Sequence, residues 1–251
     1  MQSFKYRGAA CLVLAFAPIS LFVTAAEAAS TKKKKHNPPP PAAVSSWQPE
    51  VAVTSAVPAI WTGIYAGLSG GYGLGRSEQH YDRNDNHGLA STSPSGGLAA
   101  VTLGYNWRLD NGFIVGAEGD LGIMDVSADD KIDYDGHTYK TSFGPWWGTI
   151  RARGGVVFGD NLIYATGGLA FMGVDEISVG NTPGETAVNK DTRSGWVVGA
   201  GIEHVFAPGM TAKLEYLHMD FGSYSGFSAN NEDFSFNNRV DMVRVGINYG
   251  F

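Results

Sequence analysis

Apolar and polar residues alternate with a period of two through eight stretches of the chain between Trp61 and Phe251. Such alternation marks strands whose two faces meet different surroundings. The first stretch, Trp61 to about Gly75, sets Ile64, Ala66, Leu68, Tyr72 and Leu74 against Tyr65, Gly67, Ser69, Gly71 and Gly73. The second, Gly97 to Leu109, opposes Ala99, Val101, Leu103, Tyr105 and Trp107 to Thr102, Gly104, Asn106 and Arg108. In the third, Phe113 to Met124, Val115, Ala117, Leu121 and Ile123 face away from Glu118 and Asp120. The fourth, Thr141 to Phe158, sets Trp146, Ile150, Ala152 and Val156 against Thr149, Arg151 and Arg153. The fifth, Leu162 to Val174, and the sixth, Arg193 to Phe206, repeat the pattern, with Glu203 on the polar face of the latter. The seventh, Thr211 to about Phe221, points Ala212, Leu214 and Tyr216 away from Lys213 and Glu215, and the eighth runs from Arg239 to Phe251.

The connections alternate in length. Asp110-Asn111-Gly112, Gly159-Asp160-Asn161 and Ala207-Pro208-Gly209 are tight turns, whereas the other four connections are polar and roughly sixteen to twenty-one residues long. Short turns at one end and long loops at the other predict an all-β, eight-stranded antiparallel up-and-down transmembrane β-barrel. The charged face is then the inner one, the reverse of a soluble barrel.

Nine ionisable residues fall on the inner parity: Arg108, Glu118, Asp120, Arg151, Arg153, Glu203, Lys213, Glu215 and Arg244. An eight-stranded lumen is only wide enough for side chains, so these groups are expected to pair with one another. Counting from the short-turn ends matches Glu118 with Arg153 and Asp120 with Arg151. Glu203 and Lys213 flank Pro208-Gly209 symmetrically and are expected to face each other.

The N-terminus reads as an export label. Lys5 and Arg7 precede an apolar run from Ala9 to Ala25, and Ala26-Glu27-Ala28 is a cleavage pattern, which assigns residues 1–28 to a signal peptide cut near Ala28. Cys11 is the chain's one cysteine and lies in that segment, so the exported protein has no disulfide or thiol chemistry. Residues 29–60 carry Lys32, Lys33, Lys34 and Lys35, then Pro38 to Pro41, and read as a disordered periplasmic linker with polyproline character. The four lysines suit contact with the cell wall or with anionic lipid. No later run approaches the length of a transmembrane helix, so strands must do the crossing. Beyond Ile60 acidic residues outnumber basic ones by ten, and the basic cluster lacks interleaved aromatics, which argues against nucleic acid.

Candidate chemistry is sparse. His80, His87 and His137 fall in loops, and His204 and His218 near strand ends. His218 and Asp220 share a face, but their strand adds no serine, so no catalytic set is assigned. Asp125, Asp129, Asp130, Asp133 and Asp135 crowd one loop, yet Lys131 breaks the calcium-loop spacing, so no metal or cofactor site is assigned.

Trp147-Gly-Thr-Ile-Arg-Ala-Arg-Gly-Gly155, Tyr164-Ala-Thr-Gly-Gly-Leu-Ala-Phe171, Gly195-Trp-Val-Val-Gly-Ala-Gly-Ile-Glu203 and Lys213-Leu-Glu-Tyr-Leu217 together resemble one family, as does Trp61-Thr-Gly-Ile-Tyr-Ala-Gly67. It is the RopB-type small outer-membrane proteins of alphaproteobacteria, relatives of the OmpA transmembrane domain. Val245, Ile247, Tyr249 and Phe251 likewise resemble the C-terminal signal by which outer-membrane barrels are recognised for insertion. The resemblance implies a barrel over residues 61–251 in the outer membrane, with lipid, lipopolysaccharide and the barrel-assembly machinery as partners. The expected function is a non-enzymatic envelope protein that displays surface loops. A low-conductance porin and a loop-based adhesin or ligand-binding protein are the alternatives.

Overall fold

Three tight turns fix the register of the strand pairs they join. Asn111 and Gly112 take φ of 76° and 78°, Gly159 57° and Gly209 75°, left-handed values that glycine and asparagine tolerate best. In the computed structural model, which describes residues 61–83, 86–131, 138–179, 186–227 and 233–251, these turns join long antiparallel strands. The signal segment, the 29–60 linker and its Lys32 to Lys35 lie outside the described residues.

The strands are β1 (Gly63–Arg83), β2 (Asn86–Thr92), β3 (Ser95–Arg108), β4 (Phe113–Lys131), β5 (Thr138–Phe158), β6 (Asn161–Val179), β7 (Ala187–Ala207), β8 (Met210–Phe227) and β9 (Asp233–Gly250). Consecutive strands from β3 to β9 pair with one another, and β1 pairs with both β3 and β9. The result is a closed ring of eight strands, with β2 folded back on the far end of β1. Closure pairs Tyr65 with Gly250 at one end and Asp82 with Asp233 at the other.

Alternation places the two faces as expected. Leu68, Leu103, Leu121, Ile123, Ile150, Ile163, Leu169, Val245 and Ile247 are exposed on the outside, forming an apolar band about five outward residues tall on each strand. Trp107, Phe113, Phe158, Phe206 and Tyr249 rim it on the side of the tight turns. Arg76, Asp125, Asp175, His218 and Asp241 mark its other border. The strands run well beyond that border. The first stretch continues to Arg83 and the last begins at Asp233, because hydrogen bonding persists where the outer face is no longer apolar and alternation fades.

Above the band the wall divides. Pairing of β3 with β4 stops at Ser95 with Ser127, and β2 bonds only to β1. On the opposite side β7 and β8 pair only as far as Trp196 with Asp220, although both strands continue. The upper parts of β8, β9, β1 and β2 therefore make one half-sheet, and those of β4 to β7 another. Ser77 donates to Glu176 at 3.1 Å and Thr92 to Thr141 at 2.9 Å across the two.

Close strand approach demands glycine at Gly168, where an added Cβ would sit 2.0 Å from the Ile150 carbonyl oxygen. At outward Gly97 it would meet nothing within 4 Å. Gly168→Ala should therefore destabilise the barrel by about 1–3 kcal/mol while Gly97→Ala is neutral, read from urea unfolding of the micelle-refolded protein and its heat-modifiable gel mobility. Equal stability of the two variants would contradict this packing.

Candidate functional site

The inner face is not uniformly polar, as the alternation suggested, but layered. At the tight-turn end Trp61, Ile114, Leu162 and Tyr164 form an apolar base. Above it lie the charges, and above those a second apolar layer that includes Leu98, Val126, Phe143, Trp147, Met172 and Met242. Phe143, Trp147, Met172, Met219 and Met242 have no solvent exposure at all.

The middle layer gathers four cations, Arg151, Arg153, Lys213 and Arg244, and four carboxylates, Glu118, Asp120, Glu203 and Glu215, all buried. Arg151 donates to Asp120 at 2.8 Å and Glu215 at 3.1 Å, and also to Glu118. Arg244 donates to Glu215 at 2.6 Å and Asp120 at 3.0 Å. Arg153 reaches Glu203 at 2.8 Å, the Tyr65 hydroxyl at 2.8 Å and Glu118 at 3.3 Å, with its guanidinium 4.0 Å from the Tyr164 ring centre. Lys213 contacts Glu118 at 3.4 Å. Hydroxyls fill the remaining acceptor sites: Thr102 and Thr149 donate to Asp120, Tyr65 to Glu118, Tyr164 to Glu215, and Thr211 to Glu203.

One expectation is corrected and two are refined. Arg108 is exposed beside the first tight turn and stands outside the network, so cations and carboxylates balance. Both matched pairs form, Arg153 with Glu118 at 3.3 Å and Arg151 with Asp120 at 2.8 Å, but not level: Glu118 lies opposite Arg151, and Arg153 opposite Gly116, because neighbouring strands of a closed barrel are staggered and equal distance from the turn is not equal height. Glu203 and Lys213 are indeed cross-strand partners in register, yet their side chains bond elsewhere, to Arg153 and Glu118.

The remaining sequence candidates are dispersed. Val245, Ile247, Tyr249 and Phe251 all lie on the outer face, with the Phe251 amide donating to the Ile64 carbonyl at 3.0 Å. His218 bonds to Asp241 at 2.8 Å instead of sharing work with Asp220, which binds Arg239 at 3.2 Å. His204 contacts Asn161 at 3.0 Å. Among the described residues no cluster of His, Cys, Asp or Glu is arranged for a metal, and the side chains of Asp129, Asp130, Asp133 and Asp135 fall outside them.

The sequence reading missed Glu176, fully buried above the apolar band, where it accepts from Ser77 at 3.1 Å and Asn189 at 3.0 Å. Continuing the inner parity of Met172 and Val174 by one step would have found it. Burial raises its carboxyl above the ordinary value, against the hydrogen bonds from Asn189, Asn238 and Ser77 that favour the charged form.

Residues 51–251 match the family described as Outer membrane protein beta-barrel domain. The chain is 34% identical to the 31 kDa outer-membrane immunogenic protein of Brucella melitensis over 76% of this chain and 84% of that one. It is 31% identical to the 22 kDa outer membrane protein of Rhizobium leguminosarum bv. viciae, over 76% and 78% of the two chains. Among solved structures the outer membrane protein OprG from Pseudomonas aeruginosa superposes with a TM-score of 0.50 at 14% identity, covering 76% of this chain and 97% of that one.

Removing one charge from the balanced layer leaves its partners uncompensated. Arg151→Met should cost about 3–5 kcal/mol of unfolding free energy, and Arg108→Gln less than about 0.5 kcal/mol, both measured by urea unfolding in micelles. A small effect at Arg151 would mean that the layer is solvated. For Glu176 the raised folded-state value reverses the usual carboxylate sign. Its stabilisation is complete below about pH 4.3, the unfolded value, and is lost as pH rises through the folded one. Glu176→Gln should therefore gain on wild type as pH rises above about 4.3; parallel pH curves would refute the shift.

Proposed function

The chain belongs to the outer membrane protein beta-barrel family, and on that premise we propose that it is a closed, non-enzymatic barrel whose role is to strengthen the envelope and to hold four loops at the cell surface. It resides in the outer membrane. One observation carries the reading: the lumen is filled at two successive heights, first by charges bonded to one another and then by an apolar layer. Ions would have to break the first and dehydrate to cross the second. Each carboxylate of the middle layer is held by a cation and a hydroxyl, which supports a packing role over acid–base chemistry.

The outer band meets lipid hydrocarbon, and the long strands lift the loops clear of it among the sugars of lipopolysaccharide. The naming of the Brucella melitensis relative as immunogenic supports surface exposure of these loops. Insertion is left to the barrel-assembly machinery, and the lysines Lys32 to Lys35 suit the cell wall or anionic lipid on the periplasmic side.

Refolded wild-type protein should give no steady current across a planar bilayer; salt-dependent channels of nanosiemens size would overturn the closed-barrel reading in favour of a porin. A strain lacking the protein should become more sensitive to detergent, and unchanged permeability would remove the envelope role.

A further inference from the structure

Where β7 and β8 part, a buried guanidinium edge keeps two donors without an acceptor. A bulge between Asp220 and Ser223, with Gly222 at φ 66°, turns β8 away from β7 just above their last pair, Trp196 with Asp220. Gly195 marks the final close approach, since a Cβ there would lie 2.1 Å from the Asp220 carbonyl oxygen. Arg193 follows on the inner parity and spans the gap. Its guanidinium stacks on Tyr224 of β8, 3.8 Å from the ring centre. Its Nε and Nη2 are shielded from solvent and have no acceptor.

Of the neighbouring acids, Glu176 is near enough to feel the Arg193 charge, but none accepts a hydrogen bond from its Nε and Nη2 edge. Asp220 takes Arg239 and the Gly222 amide, Asp191 takes the Thr192 amide at 2.7 Å, and Glu176 takes Ser77 and Asn189. Nε and Nη2 form one edge of the guanidinium, and that edge matches the two oxygens of a phosphate or carboxylate. An aromatic face behind the plane fixes its orientation. Height is the third observation: Arg193 lies three residues beyond Trp196, where the outward apolar band of β7 begins, and so just past the apolar band.

We infer that the β7–β8 gap is an anion-binding site in which the Nε and Nη2 edge of Arg193, backed by Tyr224, receives a phosphate or carboxylate oxygen pair. The chemistry is shared by lipid headgroups and by small soluble anions. The site is separate from the buried charge layer and does not depend on the barrel being closed to ions.

The test uses the full refolded chain in a neutral detergent, titrated calorimetrically with inorganic phosphate, and the same protein in phosphatidylcholine vesicles with or without lipopolysaccharide. In vesicles the readout is the urea midpoint followed by tryptophan fluorescence. Arg193→Gln should weaken the response at least about tenfold, and Arg193→Lys, which keeps the charge and loses the fork, by an intermediate amount. Arg76→Gln, an exposed cation on β1, should leave it unchanged. A response to both probes supports the site for anions in general; a response only to lipopolysaccharide supports it with a headgroup as source. Wild type and Arg193→Gln behaving alike with both probes would overturn the proposal, as would equal loss in Arg76→Gln.

Discussion

Eight opposite charges in a space closed to solvent constrain everything around them. Isolated, any one would be too costly to bury; together they are tolerable because each carboxylate meets cations and hydroxyls at hydrogen-bond distance. That requirement fixes strand stagger, since Arg151 must stand level with Glu118 while reaching Asp120 and Glu215. It also explains two of the threonines: Thr102 and Thr211 point inward at heights where a carboxylate oxygen has no cation to spare, while Thr149 adds a third donor to an Asp120 oxygen already met by Arg151 and Arg244. The pattern resists piecemeal change, because a charge on one strand is satisfied by side chains from several others.

How much of this was legible in the sequence divides along physical lines. Which residues face out follows from a period of two, and that period is strong wherever one side meets lipid, so Leu68, Ile150 and Val245 fall where alternation placed them. The tight turns were legible because Asn111, Gly159 and Gly209 supply conformations few other residues accept. Height was not legible, since stagger between strands is a property of closure and leaves no mark on a single segment. Hence Glu118 and Arg153 were matched where Glu118 and Arg151 stand opposed. The inner apolar layer was hidden for another reason: Phe143, Trp147 and Met242 sit on the polar parity, and a two-letter pattern assigns them no distinct environment. Glu176 and Arg193 escaped because they lie where the outer face is no longer apolar.

The two apolar interior layers bound the charges above and below, so the barrel is built as a packed protein core turned outside in. Stability resides in the wall and the lumen together. The upper strands carry only a small apolar cluster, Ala187 with Phe234, Phe236 and Tyr224, and a few polar contacts, Ser77 with Glu176, Thr92 with Thr141 and Arg193 with Tyr224. The membrane-embedded part and the surface part thus obey different rules, the first intolerant of substitution and the second open to it.

The division of the upper wall groups the loops in pairs. The connections 84–85 and 228–232 ride on one half-sheet, and 132–137 and 180–185 on the other. Within each half-sheet the strand ends share a hydrogen-bonded base, whereas among the described residues the two half-sheets meet through side chains. A molecule that grips both pairs would sense the distance between them, and one that grips a single pair would not. Surface variation in such a protein can accordingly proceed in two independent blocks, with recognition of the whole rim as the property that couples them.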